Sequence, residues 1–185
     1  KNISGVLLVD EAYIDFVDPS IAYSTKDLIN ARDNVLVLRT FSKGYSLAGL
    51  RLGYLLGDPE LIKPMLEKTR DSYNVDAISQ ALGLAAIEDQ AYAQETWRQV
   101  REQRQVLHEA LRALGFNCPS SEANFLLATM PEDIDAEGLY EALKAKSILV
   151  RYFQTPRLKD KLRITVGSAK QNEKLIHTIC QLITR

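Results

Sequence analysis

Apolar residues recur along this chain in two rhythms. Continuous aliphatic runs at Val6-Leu7-Leu8-Val9, ending in Asp10, and at Val35-Leu36-Val37-Leu38 predict strands covered on both faces in an α/β sheet. Gly53-Tyr54-Leu55-Leu56-Gly57 predicts a third strand. The short gap before it leaves little room for a helical crossover, so an antiparallel strand is expected.

The second rhythm is helical. Asp58-Pro59-Glu60 supplies an N-cap, a proline at the first helical position and an acid in the first turn, ahead of Leu61, Ile62, Met65 and Leu66. A stripe of Val75, Ile78, Leu82, Ala85 and Ala86 predicts a helix over 75–89. Trp97, Val100, Leu107, Leu111 and Leu114 recur at helical spacing between about 92 and 114, with Gly115 as the stop. Beyond lie a predicted strand (124–128), a helix (136–146), strands near 148–153 and 161–166, and a last helix. Ser168 and Gln171 form a capping box for that helix. The stretch 154–160, with Pro156 inside it, reads as a surface loop.

Composition narrows the function classes. The 185 residues carry 24 Asp plus Glu against 23 Lys plus Arg, for a net charge of -1, which lacks the basic excess that nucleic acid demands. No apolar run approaches a membrane span, and no signal-peptide core follows Lys1, so neither nucleic acid nor a membrane is an expected partner and a cytoplasmic setting is expected. Cys118 and Cys180 lack metal-like or redox spacing and read as structural thiols. His108 and His177 lie far from other ligand types, so no metal site is expected. The chain opens on Lys1 and enters a core-type strand almost at once, which suggests part of a longer protein.

Chemistry concentrates at the strand ends. In Arg39-Thr40-Phe41-Ser42-Lys43-Gly44, Lys43 alone would be read as a solvated loop lysine. Eight residues on, Arg51 interrupts an apolar segment and needs an anionic partner. An antiparallel third strand would bring it to the sheet edge of Lys43, where Ser42 could donate to the same phosphate. Asp10 and Tyr13 follow the first strand, at the edge where α/β folds bind ligands, although a turn-capping aspartate and a packed tyrosine are equally open readings. Together they match the needs of pyridoxal phosphate: a lysine, an acid for the pyridine nitrogen, anion binders for the phosphate, and a phenol for the ring oxygen.

The motifs Asp10-Glu11-Ala12-Tyr13, Ser42-Lys43, Leu47-Ala48-Gly49-Leu50-Arg51 and Gly53-Tyr54 resemble those of the fold-type-I, class-II pyridoxal-phosphate-dependent aminotransferases, especially the histidinol-phosphate aminotransferase branch. The resemblance runs through the chain to Leu162-Arg163-Ile164-Thr165-Val166-Gly167. It implies an α/β fold: the C-terminal part of the cofactor-binding large domain over 1–90, then a long connecting helix and a small α+β domain over 91–185. It implies Lys43 as the catalytic lysine, with Asp10, Tyr13, Ser42 and Arg51 also on the cofactor. Arg163 would hold a substrate carboxylate and Arg151 a substrate phosphate, with Asn124 and Asn74 on the substrate side. Taken without the resemblance, Arg163 and Arg151 are strand and surface charges.

The implied reaction converts histidinol phosphate and 2-oxoglutarate to imidazole acetol phosphate and glutamate, in histidine biosynthesis, with the intact enzyme a homodimer. Family members are longer on the N-terminal side, so part of the cofactor cradle lies outside this sequence. Two other readings stay open: another fold-type-I enzyme, such as an aromatic aminotransferase or a threonine-phosphate decarboxylase, and a non-catalytic fragment or regulator domain.

Overall fold

The computed structural model describes residues 3–183, so the outermost two positions of each expected domain lie outside the described residues. The chain divides into two compact units, Lys1–Trp97 and Arg98–Arg185. The division falls inside helix α4 (Gln90–Ala113).

The first unit is built on three strands in the order β1 (Leu7–Asp10), β2 (Val35–Thr40), β3 (Gly53–Gly57). β1 runs parallel to β2, with Asp10 opposite Leu38. β3 runs antiparallel to β2, with Thr40 opposite Gly53, as the short connection requires. Between β1 and β2 lie two single-turn 3-10 helices and the six-residue α1 (Lys26–Ala31). Hydrophobic periodicity did not mark α1, because none of its residues is buried.

The helix caps follow the sequence. Asp58 accepts from the Glu60 amide at 2.8 Å and starts α2 (Pro59–Lys68). Asp76 accepts from both the amide and the hydroxyl of Ser79, at 2.8 and 2.6 Å, so α3 (Ala77–Glu88) begins two residues later than the stripe predicts. The expectation of strands covered on both faces is corrected. Leu8 and Leu38 are 55% and 36% exposed on one face, and Leu56 is 40% exposed on the other. Val35 and Val37 are buried, so the described residues cover only part of the sheet.

The second unit is an antiparallel sheet, β4 (Phe125–Thr129), β6 (Lys161–Thr165), β5 (Arg151–Tyr152), in that spatial order. Alternate residues Leu126, Ala128, Leu162 and Ile164 point into a core shared with Leu107 and Leu111 of α4, Leu143 of α5 (Ala136–Ala145) and Ile179 of α6 (Ala169–Ile183). This period-two burial is what a sheet with one covered face requires.

Gly115 ends α4 in the left-handed region, φ 88°, and the Phe116 amide returns to the Leu111 carbonyl at 3.1 Å, a Schellman-type stop. The capping box is present: the Ser168 amide donates to Gln171 Oε1 at 2.9 Å and the Gln171 amide to Ser168 Oγ at 3.4 Å. The strand predicted near 148–153 shrinks to the two residues of β5. Leu149, within the aliphatic run, is 81% exposed because no strand pairs with it there.

Candidate functional site

The parallel β1 and β2 end at the same edge of the first sheet, and the antiparallel β3 begins there. Asp10 closes β1, Lys43 follows β2, and Arg51 precedes β3. The loop between β2 and β3 is tied back on itself: Phe41 donates to the Leu52 carbonyl at 3.1 Å, Leu47 to Phe41 at 3.0 Å and Ser46 to Lys43 at 3.1 Å. Thr40 Oγ1 donates to Leu52 at 3.3 Å and accepts from the Ser42 amide at 3.1 Å. Ser42 and Lys43 are half-buried.

Lys43 Nζ lies 5.8 Å from the centroid of the Tyr13 ring, so two of the predicted residues meet directly. Asp10 is exposed, and its Oδ1 accepts from the Ala12 amide at 2.9 Å; the turn-capping role is real and leaves Oδ2 for other work. Arg51 has a left-handed backbone, φ 53°, and spends one Nη1 donor on the Ala48 carbonyl at 3.0 Å. Its guanidinium is otherwise presented at the surface. Asn74 lies in the exposed segment between α2 and α3.

Behind the edge is a polar cluster that the sequence reading left without a role. Glu11, its side chain 2% exposed, accepts from Arg39 Nε at 2.7 Å. Burial works against the Arg39 charge, but hydrogen bonds to Glu11 and Tyr54 outweigh it and raise the pKa. Glu11 Oε1 is buried with no hydrogen-bond partner among the described residues, and partial burial together with the Glu11 charge raises the pKa of Tyr23. Burial pushes Asp15 up to about 6, with Arg39 opposing and Glu11 assisting. The signal available in the sequence was an acid and a base, each next to a buried strand run, but their pairing across 28 residues needs the parallel register.

The second unit places Arg151 directly opposite Arg163 on neighbouring strands. The Arg163 guanidinium lies 5.3 Å from the Phe125 ring and 6.0 Å from Phe153, and Arg151 lies 5.5 Å from Phe153. Like charges at directly opposed positions are unfavourable. Arg163 Nε is buried and has no hydrogen-bond partner among the described residues, which costs free energy unless an acceptor arrives. Asn124 precedes β4, and its carbonyl accepts from the Val166 amide at 2.9 Å.

In the first unit, a loop lysine beside a phenol, with a carboxylate and an arginine at the same sheet edge, fits the chemistry of pyridoxal phosphate; in the second unit, the orphaned guanidinium donor fits an anion. The model for aminotransferase class I and II matches residues 1–179. The chain belongs to that family.

Among its relatives is histidinol-phosphate aminotransferase 1 of Trichormus variabilis, 48% identical over 99% of this chain and 51% of the relative. The histidinol-phosphate aminotransferase of Rippkaea orientalis is 44% identical over 98% of this chain and 51% of its own. The chain thus spans about half the length of these relatives. Among solved structures, histidinol-phosphate aminotransferase from Sinorhizobium meliloti in complex with pyridoxal-5'-phosphate is similar with a TM-score of 0.82 and 27% identity, over 96% of this chain and 49% of that one. This aminotransferase chain therefore has the α/β architecture of fold-type-I enzymes.

Proposed function

We propose that this aminotransferase chain supplies the lysine-bearing part of a pyridoxal-phosphate enzyme that exchanges the amino group of histidinol phosphate with 2-oxoglutarate, yielding imidazole acetol phosphate and glutamate. The observation that carries the reading is the meeting of Lys43 with Tyr13 at the edge that also holds Asp10 and Arg51. Relatives named for this activity favour it over an aromatic aminotransferase, a threonine-phosphate decarboxylase or a regulator domain.

Asp10 would hold the positive charge on the cofactor's pyridine nitrogen through its available oxygen, Tyr13 would donate to the ring oxygen, and Ser42 and Arg51 would hold the phosphate. When bound, the cofactor supplies an electron sink for negative charge at the substrate's α-carbon. Lys43 Nζ would take the proton from that carbon as a base and then, as an acid, deliver it to the cofactor carbon that takes up the amino group. In the half-reaction with glutamate or 2-oxoglutarate, which carry the carboxylate that histidinol phosphate lacks, Arg163 would grip that carboxylate through paired donors, its buried Nε among them. Arg151 would hold the phosphate of histidinol phosphate. Asn124 and Asn74 serve the substrate side.

The intact protein is further proposed to be a cytoplasmic homodimer of histidine biosynthesis. Among the described residues no helix is long and apolar enough to cross a membrane. The reading is tested by the visible spectrum of the purified chain with added pyridoxal phosphate. A band abolished by Lys43→Ala is expected, and a band that survives the substitution sinks the role of Lys43. Assay of the full-length enzyme with histidinol phosphate and with aromatic amino acids decides the substrate, since inactivity on the former rejects the specific activity.

A further inference from the structure

Gly44, the residue after the lysine, carries two contacts that the proposed chemistry does not use. Its carbonyl accepts from the Trp97 indole at 2.8 Å, across 53 residues of sequence. Trp97 meets the Tyr45 ring edge-on at 5.5 Å, and Tyr45 lies 5.0 Å from Phe41, so the indole is itself seated. Beside the Gly44 α-carbon lies the Asp15 carboxyl, so close that a Cβ on residue 44 would sit 2.1 Å from Oδ2. Asp15 is carried on the 3-10 turn Ile14–Phe16, anchored by the buried Phe16. The charges that act on Asp15 are Glu11 and Arg39, which are paired with each other at 2.7 Å.

A half-buried carboxyl that fills the space a side chain on residue 44 would take is not neutral packing. Lysine Nζ ends a flexible chain of four methylenes, so a small rotation of its backbone displaces the amine far more. A misplacement of about 1 Å in a reacting group can cost roughly a hundredfold in rate.

We propose that Asp15 and Trp97 are positioning residues for Lys43: the indole holds the Gly44 carbonyl and the carboxyl fills the space at its α-carbon, which fixes the direction in which the Lys43 side chain leaves the backbone toward Tyr13. The inference rests on the reading of Lys43 given above. Both residues act through the Gly44 peptide.

The test labels the full chain with pyridoxal phosphate, traps the adduct with borohydride, and measures label at Lys43 by peptide mass against label at the exposed Lys26 and Lys63. The unsubstituted chain is expected to favour Lys43. Trp97→Phe, which keeps a ring and loses the donor, and Gly44→Ala are each expected to cut that preference by about tenfold or more while unfolding remains cooperative. Adding Asp15→Gly to Gly44→Ala removes the atoms the new Cβ would meet and is expected to restore the preference, a rescue that general loosening of the loop does not give.

Should Gly44→Ala fail to fold, Trp97→Phe decides. A preference unchanged in Trp97→Phe overturns the role of Trp97, and a preference unchanged in Gly44→Ala or an absent rescue overturns that of Asp15. No preference for Lys43 in the unsubstituted chain overturns the reading of Lys43 and this inference with it.

Discussion

Arg51 is a charged, long-chain residue in a backbone conformation that suits glycine, at φ 53°, and Ser46 in the same loop sits at φ 58°. A non-glycine residue there costs about 1–2 kcal/mol, and such strain collects at functional sites. Arg51→Gly is therefore expected to raise unfolding free energy by about 1 kcal/mol while weakening pyridoxal phosphate binding; a urea titration beside a cofactor titration checks both halves. Asp15 makes the opposite kind of sacrifice. Its carboxyl pKa is raised to about 6 from 3.8, so the native state holds the proton more tightly than the unfolded chain. The stability this contributes is fully present below about pH 4 and is lost as pH rises through about 6. Asp15→Asn should hence lose less stability than the unsubstituted chain between those values, as unfolding measured across pH will show.

Single residues in the second unit divide by what they touch. Arg163→Lys keeps the charge but loses the planar fork, and in the full-length enzyme it should reduce use of the amino-acid substrate at least tenfold, more through KM than through folding. Unfolding of the same variant should change little, because its present donor lacks a partner. A large drop in stability would mean that Arg163 is held for packing against Phe125 and Phe153.

At the scale of elements, what was readable in the sequence was what depends on neighbours in the chain. The capping Asp58, the Ser168 and Gln171 box and the Gly115 stop all act within a few residues, and the structure places each where the local chemistry calls for it. Ser168→Ala should consequently lower stability by about 1 kcal/mol, measured by thermal or urea unfolding. The strands at 124–128 and 161–166 were equally plain. Two kinds of feature escaped. The exposed α1 has no apolar stripe to announce it, and the β5 region carries an aliphatic run whose length says nothing of how few residues find a partner. The candidate site shows the same split. Lys43, Asp10, Tyr13 and Arg51 belong to spaced motifs, whereas Glu11 with Arg39, and Asp15 and Trp97 with Gly44, are joined only by the fold.

The molecule as a whole carries two units of unlike completeness. The second closes a core in which Leu107, Leu111, Leu143, Leu162 and Ile179 are fully buried, and truncating one of them, for example Leu143→Ala, should cost about 2–5 kcal/mol. The first leaves β1 and β3 as outer strands among the described residues, with Leu8 and Leu56 exposed beside them. Unpaired strand edges with apolar flanks promote association. Light scattering of the isolated chain is expected to give a concentration-dependent mass above that of a monomer, reduced by Leu8→Lys; a strictly monomeric chain at all concentrations would contradict it.

The chain contains one tryptophan, and that indole is hydrogen-bonded to the peptide next to Lys43. Excited at wavelengths too long for the eight tyrosines to absorb, its emission is thus a built-in optical gauge of the contact between α4 and this loop. A chromophore arriving at Lys43 would quench that emission by energy transfer, so cofactor occupancy can be followed in real time with no dye attached and no residue replaced.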